Sequence, residues 1–337
     1  MRTMFLFLIL AVMMSGCTKA QEPPADKAAT QPATTSITVS ALTQERAIAE
    51  VKAFGGEVRI DKEAPGSPVI LVYFPNTKIT DAGLVPLKAF TQLQTLNLWG
   101  PGVTDAGLES VAGLTELWRL NLPLTGITDV GLVHLRGMTQ LQTLDLSQTH
   151  VTDVGLGHLT GLVQLQWLLL SGTKITDAGL VRLTGLQHLQ SLELANTDIT
   201  DAGLALLKRF NELQRLNVGA TKITDAGLAH LAGLTQLQML ALTGDRIDAG
   251  LIHVERLTQL QELYLEHTLV TDAGLSHLRG LVRLERLDLS STKVTDAGLE
   301  HLKGLTQLQM LGLERTDVTD QGVKKLQVAL PNCEIVR

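Results

Sequence analysis

Eleven aspartates recur in one setting, Asp-x-Gly, at Asp81, Asp105, Asp129, Asp153, Asp177, Asp201, Asp225, Asp248, Asp272, Asp296 and Asp320. A regular line of carboxylates could hold calcium, as some β-helix repeats do. Threonines such as Thr80, Thr128 and Thr176 stand directly before them, at the start of a short predicted helix. There a hydroxyl can cap free N–H groups and a carboxylate suits the helix dipole. Capping is the simpler expectation for both. Six of the nine histidines fall five residues after an Asp: His134, His158, His230, His253, His277 and His301. A zinc site needs three or four ligands converging at about 2.0 Å, whereas this column is a line. Its other members are Pro86, Ser110, Arg182, Leu206 and Lys325, so a helix surface is expected and no metal or other cofactor. His267, Asp288, Ser290 and Ser291 could form a Ser/His/Asp set. No nucleophile elbow, oxyanion hole, phosphate loop or metal-protease motif accompanies them, so an enzyme is not expected.

The amino terminus carries chemistry of another kind. Arg2 precedes an apolar run of 11 residues, Met4 to Met14, too short to span a bilayer as a helix. Met14-Ser15-Gly16-Cys17 resembles the lipobox of bacterial lipoproteins, with Met14 where Leu is usual. That resemblance implies a signal peptide over 1–16 and lipidation of Cys17, giving an exported, lipid-anchored envelope protein. With Thr18 rather than Asp after the cysteine, it implies the outer membrane in a Gram-negative cell. Residues 17–40 hold Pro23, Pro24 and Pro32 without periodic apolar positions and read as a flexible tether. Such a tether has a mean span of about 25 Å. The second cysteine, Cys333, lies far away, so neither a disulfide scaffold nor a Cys-rich zinc module is expected.

These residues hang on a repeat. Nine of the ten intervals between the Asp-x-Gly aspartates are 24 residues, and only Asp225 to Asp248 is 23. A fixed period of this size means a solenoid. The chain has 65 leucines against 11 aromatics, as expected of one small Leu-built core used many times. Each unit opens with Leu-x-x-Leu-x-Leu, as at Leu141, Leu144 and Leu146, and continues as at Thr173 to Leu180. Lys-Ile-Thr-Asp-Ala-Gly-Leu occurs identically at 78–84, 174–180 and 222–228. The pattern resembles the leucine-rich repeat, most closely the cysteine-containing type also found in F-box proteins. The resemblance covers about residues 69–330, eleven units. It implies an α/β fold: a right-handed horseshoe solenoid with a parallel concave sheet and short helices on the convex side.

In this scheme alternate strand residues point inward. Ile79, Ile127, Ile175, Ile223 and Val294 plug the turn. Leu180, Leu183 and Leu186 press the helical turn onto the strands, and Gly185 or Gly233 ends it. Residues 41–68 read as an N-terminal cap: a helix over 41–54 buries Ala47, Ile48, Val51 and Phe54, then strands run at 57–61 and 69–74. A last helix over Val323 to Leu330, then 331–337 with buried Cys333, closes the other end.

Strand residues that flank the inward leucines are free to bind. They carry Tyr73, Trp99, Trp167 and Tyr264, four of the five Trp and Tyr residues, together with Leu169, Met239 and Met310. Trp118 falls outside these columns. Outward aromatics are what protein-interface anchors look like. Arg119 and Arg215 flank Trp167 and Leu169, with Asp145 and Glu193 between them. Glu262, Glu266, His267, Arg286, Asp288, Glu314 and Arg315 follow. Trp99 and Trp167 are three strands apart, about 14 Å, so an extended face is expected rather than one small-molecule pocket. The irregular unit Gly244-Asp245-Arg246-Ile247-Asp248 immediately precedes this charged group, with Asp245 in the usual Thr place; a repaired deletion and a functional kink both fit it.

The expected function is non-enzymatic protein binding through the concave face, touching the membrane only through the lipid anchor. A net charge of −6 gives no footprint for nucleic acid. The alternative is a structural envelope spacer or adhesion protein that binds glycan. A ubiquitin-ligase adaptor follows only from the repeat subtype and is set aside, because no F-box segment precedes the repeats and the signal sequence sends the chain out of the cytoplasm.

Overall fold

The computed structural model describes residues 36–75, 78–244 and 246–337, with side chains from residue 43 onward. The expected signal peptide, Cys17, most of the tether and Asp245 lie outside the described residues. Helix α1 (Ser36–Ala53) starts inside the stretch expected as tether. It buries Ala47 and Val51, with Ile48 packed alongside, and stops where Gly55 turns left-handed at φ 80°. Phe54, expected in that buried stripe, is 43% exposed because the helix has ended before it.

Thirteen strands then form one sheet in strict sequence order. β1 (Glu57–Ile60) and β2 (Val69–Tyr73) pair antiparallel; every later pair is parallel. The remainder are β3 (Thr95–Asn97), β4 (Arg119–Asn121), β5 (Thr143–Asp145), β6 (Trp167–Leu169), β7 (Ser191–Glu193) and β8 (Arg215–Asn217). They continue as β9 (Met239–Ala241), β10 (Glu262–Tyr264), β11 (Arg286–Asp288), β12 (Met310–Gly312) and β13 (Glu334–Val336). The register puts Leu96, Leu120, Leu144, Leu168 and Leu192 side by side, all buried. No unit can bury its own leucines, so each is covered only by its neighbours. Short helical turns such as Asp153–Leu156, Asp177–Leu183 and Asp201–Leu207 close the other side, and a longer helix, Asp320–Ala329, ends the array. Gly185 and Gly233 do not stop these turns by a left-handed bend, since neither has positive φ.

Aspartates such as Asp153, Asp177 and Asp201 sit in the first turn of their helices as expected, and they also bond beyond their own unit. From Asp81 to Asp296 each carboxylate reaches forward to the next unit. Asp177 Oδ1 accepts from the Thr200 N–H at 2.9 Å while its Oδ2 accepts from the Thr200 hydroxyl at 2.6 Å. The same pair of bonds joins eight of the ten junctions, from Asp81–Thr104 to Asp296–Thr319. The threonine does cap as expected in several units: Thr152, Thr176, Thr200 and Thr295 each accept from the N–H two residues on, whereas Thr80 makes no such bond. The motif's glycine follows from the staple, because a Cβ at Gly203 would overlap Asp177 Oδ1.

The short unit lacks that threonine, and the structure repairs the junction with backbone. Asp225 Oδ1 accepts from both the Asp248 and Gly250 N–H groups at 2.8 Å. Asp248 therefore stands in the threonine's place and also acts as the next staple. Its bonds to the Thr271 hydroxyl lengthen to 3.1 Å on each oxygen. At the last unit no threonine follows, and Asp320 pairs instead with Arg337. Cys333 is buried as expected, and burial next to Glu334 pushes its thiol up to about 11.

Candidate concave binding face

Parallel pairing without slippage turns the strand residues into columns. The last residue of each strand gives the run Tyr73, Asn97, Asn121, Asp145, Leu169, Glu193, Asn217, Ala241, Tyr264, Asp288 and Gly312. The first residues give a parallel run through Arg119, Thr143, Trp167, Ser191, Arg215, Met239 and Glu262. The candidate residues Tyr73, Arg119, Asp145, Trp167, Leu169, Glu193, Arg215, Met239 and Tyr264 thus share one face. Trp99 and Glu266 lie two residues beyond the ends of β3 and β10.

Several of these are less exposed than expected. Leu169, Met239 and Tyr264 are buried, and Asp145 is only 2% exposed. The correction has a geometric cause: each side chain has neighbours about 4.8 Å away on both sides, so the columns bury one another. Tyr73, Trp99, Arg119, Trp167, Glu193, Arg215 and Glu266 remain partly accessible. Met239, Ala241 and Tyr264 form a small apolar cluster separate from the main core. His267 is corrected more fundamentally. It lies in the turn after β10 at φ 60°, exposed on the rim, and not on the strand.

That placement also takes apart the Ser/His/Asp set. His267 meets Ser290 through a backbone bond, N–H to carbonyl at 2.9 Å, and Asp288 Oδ1 accepts from the Ser290 backbone N–H at 2.9 Å. The histidine column instead makes side-chain contacts from one unit to the next. Arg136 Nε donates to His158 Nδ1 at 3.1 Å, Arg279 pairs likewise with His301, and Glu255 with His277.

Electrostatics divides the face. Burial raises the Asp145 carboxyl, partly offset by bonds from Ser147. Burial pushes Glu193 up to about 7, although Asn217 bonds it and Arg215 lies near. Glu266 is also pushed up to about 7, by burial and then by the adjacent Asp288, despite a 2.6 Å bond from the Thr243 hydroxyl. Arg215 reaches over two strands to Glu262 at 3.2 Å, and the Tyr264 hydroxyl donates to the same carboxylate at 2.7 Å. Sequence reasoning missed that network. Its one signal was an Arg and a Glu in the same column, two units apart.

The face also holds unpaired polar atoms. Among the described residues, the buried side-chain atoms without a hydrogen-bond partner are Trp99 Nε1, Arg119 Nε, Asn121 Oδ1 and Arg215 Nε. All belong to this surface. A buried polar group left unpaired costs about 1–3 kcal/mol, so native structures rarely keep several together. Around them, Tyr73 and Trp99 stack obliquely with centroids 6.4 Å apart, Asn121 Nδ2 donates to Asn97 Oδ1 at 2.6 Å, and Arg119 lies 5.1 Å over the Trp118 ring. Trp118 thus supports the face from outside its columns.

Residues 74–326 match the model of a leucine-rich repeat region. The chain belongs to the leucine-rich repeat family. This leucine-rich repeat solenoid is similar in structure to an internalin of Listeria monocytogenes, with a TM-score of 0.60 at 21% identity, covering 88% of this chain and 87% of that one. It is also similar to a leucine-rich repeat protein of Leptospira interrogans, with a TM-score of 0.53 at 18% identity over 75% of this chain and 74% of the other. At these identities the likeness is one of fold. No curated protein sequence matched the chain. Leucine-rich repeat arrays commonly act as protein-binding scaffolds and are generally not enzymes.

Proposed function

We propose that this protein is an exported, lipid-anchored scaffold that captures a protein partner on its concave sheet. The observation that carries the reading is the gathering of the unpaired buried polar atoms, Trp99 Nε1, Arg119 Nε, Asn121 Oδ1 and Arg215 Nε, on that one face. A partner that reorients these side chains slightly would satisfy them. A rigid array presents such groups with little ordering cost, so more of the contact energy appears as affinity. Trp167 lies midway between Arg119 and Arg215, two strands from each, and is the expected anchor.

The test compares the wild-type chain with Trp167→Ala in affinity capture from solubilised envelope. Trp167 is partly exposed, so its truncation should leave circular dichroism and melting intact while partner recovery falls at least about tenfold. Equal recovery by the variant would overturn the concave site. Leu169→Ser is a poorer probe than its position suggested, since Leu169 is only 8% exposed and lies between Asp145 and Glu193 in its column, so its replacement also alters their surroundings. A glycan ligand has one observation in its favour, the Tyr73–Trp99 pair beside the Asn97–Asn121 amide bond. It predicts retention on polysaccharide columns that Trp99→Ala abolishes.

The anchor rests on Met14-Ser15-Gly16-Cys17. One acyl chain holds a protein only marginally, whereas two or more anchor it stably. Intact-mass analysis of the membrane fraction should show a chain beginning at Cys17 and carrying diacylglyceryl. A freely soluble mature chain with unmodified cysteine would refute the envelope placement.

A further inference from the structure

The identity of the partner's contact chemistry can be taken further, on the reading that the concave sheet is the binding face. Charge on that face is uneven. From β2 to β6 the first and last strand residues, with the positions two beyond each strand, carry one base, Arg119, and one acid, Asp145. From β7 onward they carry six acids, Glu193, Glu262, Glu266, Asp288, Glu314 and Glu334, against two bases, Arg215 and Arg286. Arg215 is engaged by Glu262, which also accepts from Tyr264. Glu193 therefore shares the neighbouring Arg215 with Glu262. The groups that act on Glu266 are Asp288, Thr243 and backbone, with no base among them.

We propose that the C-terminal half of the concave face receives an extended cationic polypeptide segment, whose Lys or Arg side chains meet Glu193, Glu266 and Asp288 while an apolar residue of the same segment rests on Trp167. The spacing fits such an occupant. Trp167 on β6 and Asp288 on β11 are five strands apart, roughly 24 Å at about 4.8 Å per strand, the length of about seven extended residues. Glu193 and Glu266 are separated by about 14 Å, or four residues of extended chain. A cation over these carboxylates offsets two penalties together, their desolvation and the mutual repulsion of Glu266 and Asp288. An acidic or neutral segment would add to both.

Proton linkage offers an independent readout. Glu193 faces Arg215 from β8 and Asp145 from the β5 side, and Glu266 faces Asp288 from β11; each glutamate is part-protonated near neutral pH. A bound cation favours the charged form, so binding should release protons into the buffer.

The probe is a fluorescent nonapeptide with leucine at one end followed by alternating glycine and lysine, so that leucine and lysines share one face, compared with its glutamate counterpart on the full chain by anisotropy. The lysine peptide should bind and the glutamate peptide should not. Glu266→Gln with Asp288→Asn should weaken the lysine peptide about tenfold or more. Neutralising two exposed acids outside the sheet, Glu109 and Glu116, should leave it unchanged. Calorimetry in buffers of different ionisation enthalpy should report proton release near neutral pH. Equal affinity of the sheet variant and wild type, or preference for the glutamate peptide, would overturn the proposal. If the natural partner still requires Trp167 in that case, protein binding on the face stands and only its cationic character fails. If both experiments are flat, the concave reading fails too.

Discussion

Asp177→Ala should lower the stability of the array by about 2–4 kcal/mol, although the residue is polar and only part-buried. Two hydrogen bonds to a charged acceptor vanish at once, from the Thr200 N–H and from its hydroxyl. The amide is the costlier loss, because it is left facing the preceding unit without an acceptor. Asp177→Asn should cost less, about 1 kcal/mol, since an amide oxygen still accepts from the N–H while its NH2 can donate to the hydroxyl. Thr200→Val should fall between them, losing the hydroxyl bond and also the cap on the Ala202 N–H. Urea midpoints followed by circular dichroism rank the three, and hydrogen exchange at Thr200 locates the effect. A shift below about 0.5 kcal/mol for Asp177→Ala would mean that the staples merely accompany leucine packing.

The second large effect is a gain. Glu193→Gln and Glu266→Gln should each stabilise the chain by about 1–2 kcal/mol near pH 8. The sign follows from the carboxyls lying at about 7 in the fold, above the 4.5 of an unperturbed glutamate. Below the ordinary value both states hold the proton and the penalty is absent. Between 4.5 and about 7 the unfolded chain ionises first, so stability falls as pH rises, and above 7 the full penalty remains. Glutamine imitates the protonated form, so its advantage should grow through that window and vanish on the acid side. A constant advantage from acid to alkaline pH would show that packing, rather than ionisation, sets the difference. If a more stable Glu266→Gln, Asp288→Asn chain nonetheless fails to bind the lysine peptide, loss of folding cannot account for the failure.

The repeat period and the strand leucines were legible in the residues, because each depends on side-chain type at fixed spacing. The register of the parallel strands, β2 to β13, then follows from the repeat, with the one 23-residue step taken between β9 and β10. The role of the aspartates was not legible by local reasoning. A carboxylate just inside a helix suggests its own helix, yet its partner is 23 residues ahead, at Thr200 for Asp177. The face was legible as a set of columns but not as a surface. Leu169, Met239 and Tyr264 looked outward in a single strand and became buried once strands on both sides covered them. The Arg215–Glu262 contact, 47 residues apart in sequence, needs the curvature and rotamers of three successive strands. His267 moved to the rim because the chain turns left-handed immediately after β10.

The forward direction of the staples bears on how such a protein changes size. Any 24-residue block of the regular units carries one staple aspartate and one staple threonine, so the joint left behind finds both halves of its bond already present. Gene duplication can therefore lengthen the array without inventing a contact, and the 23-residue unit shows that even an imperfect copy is accommodated by the Asp248 and Gly250 amides. Asp320 departs from the pattern in another way, pairing with Arg337 rather than with a threonine. Ligand reach in this lineage would then grow in steps of about 4.8 Å, one strand per copied block.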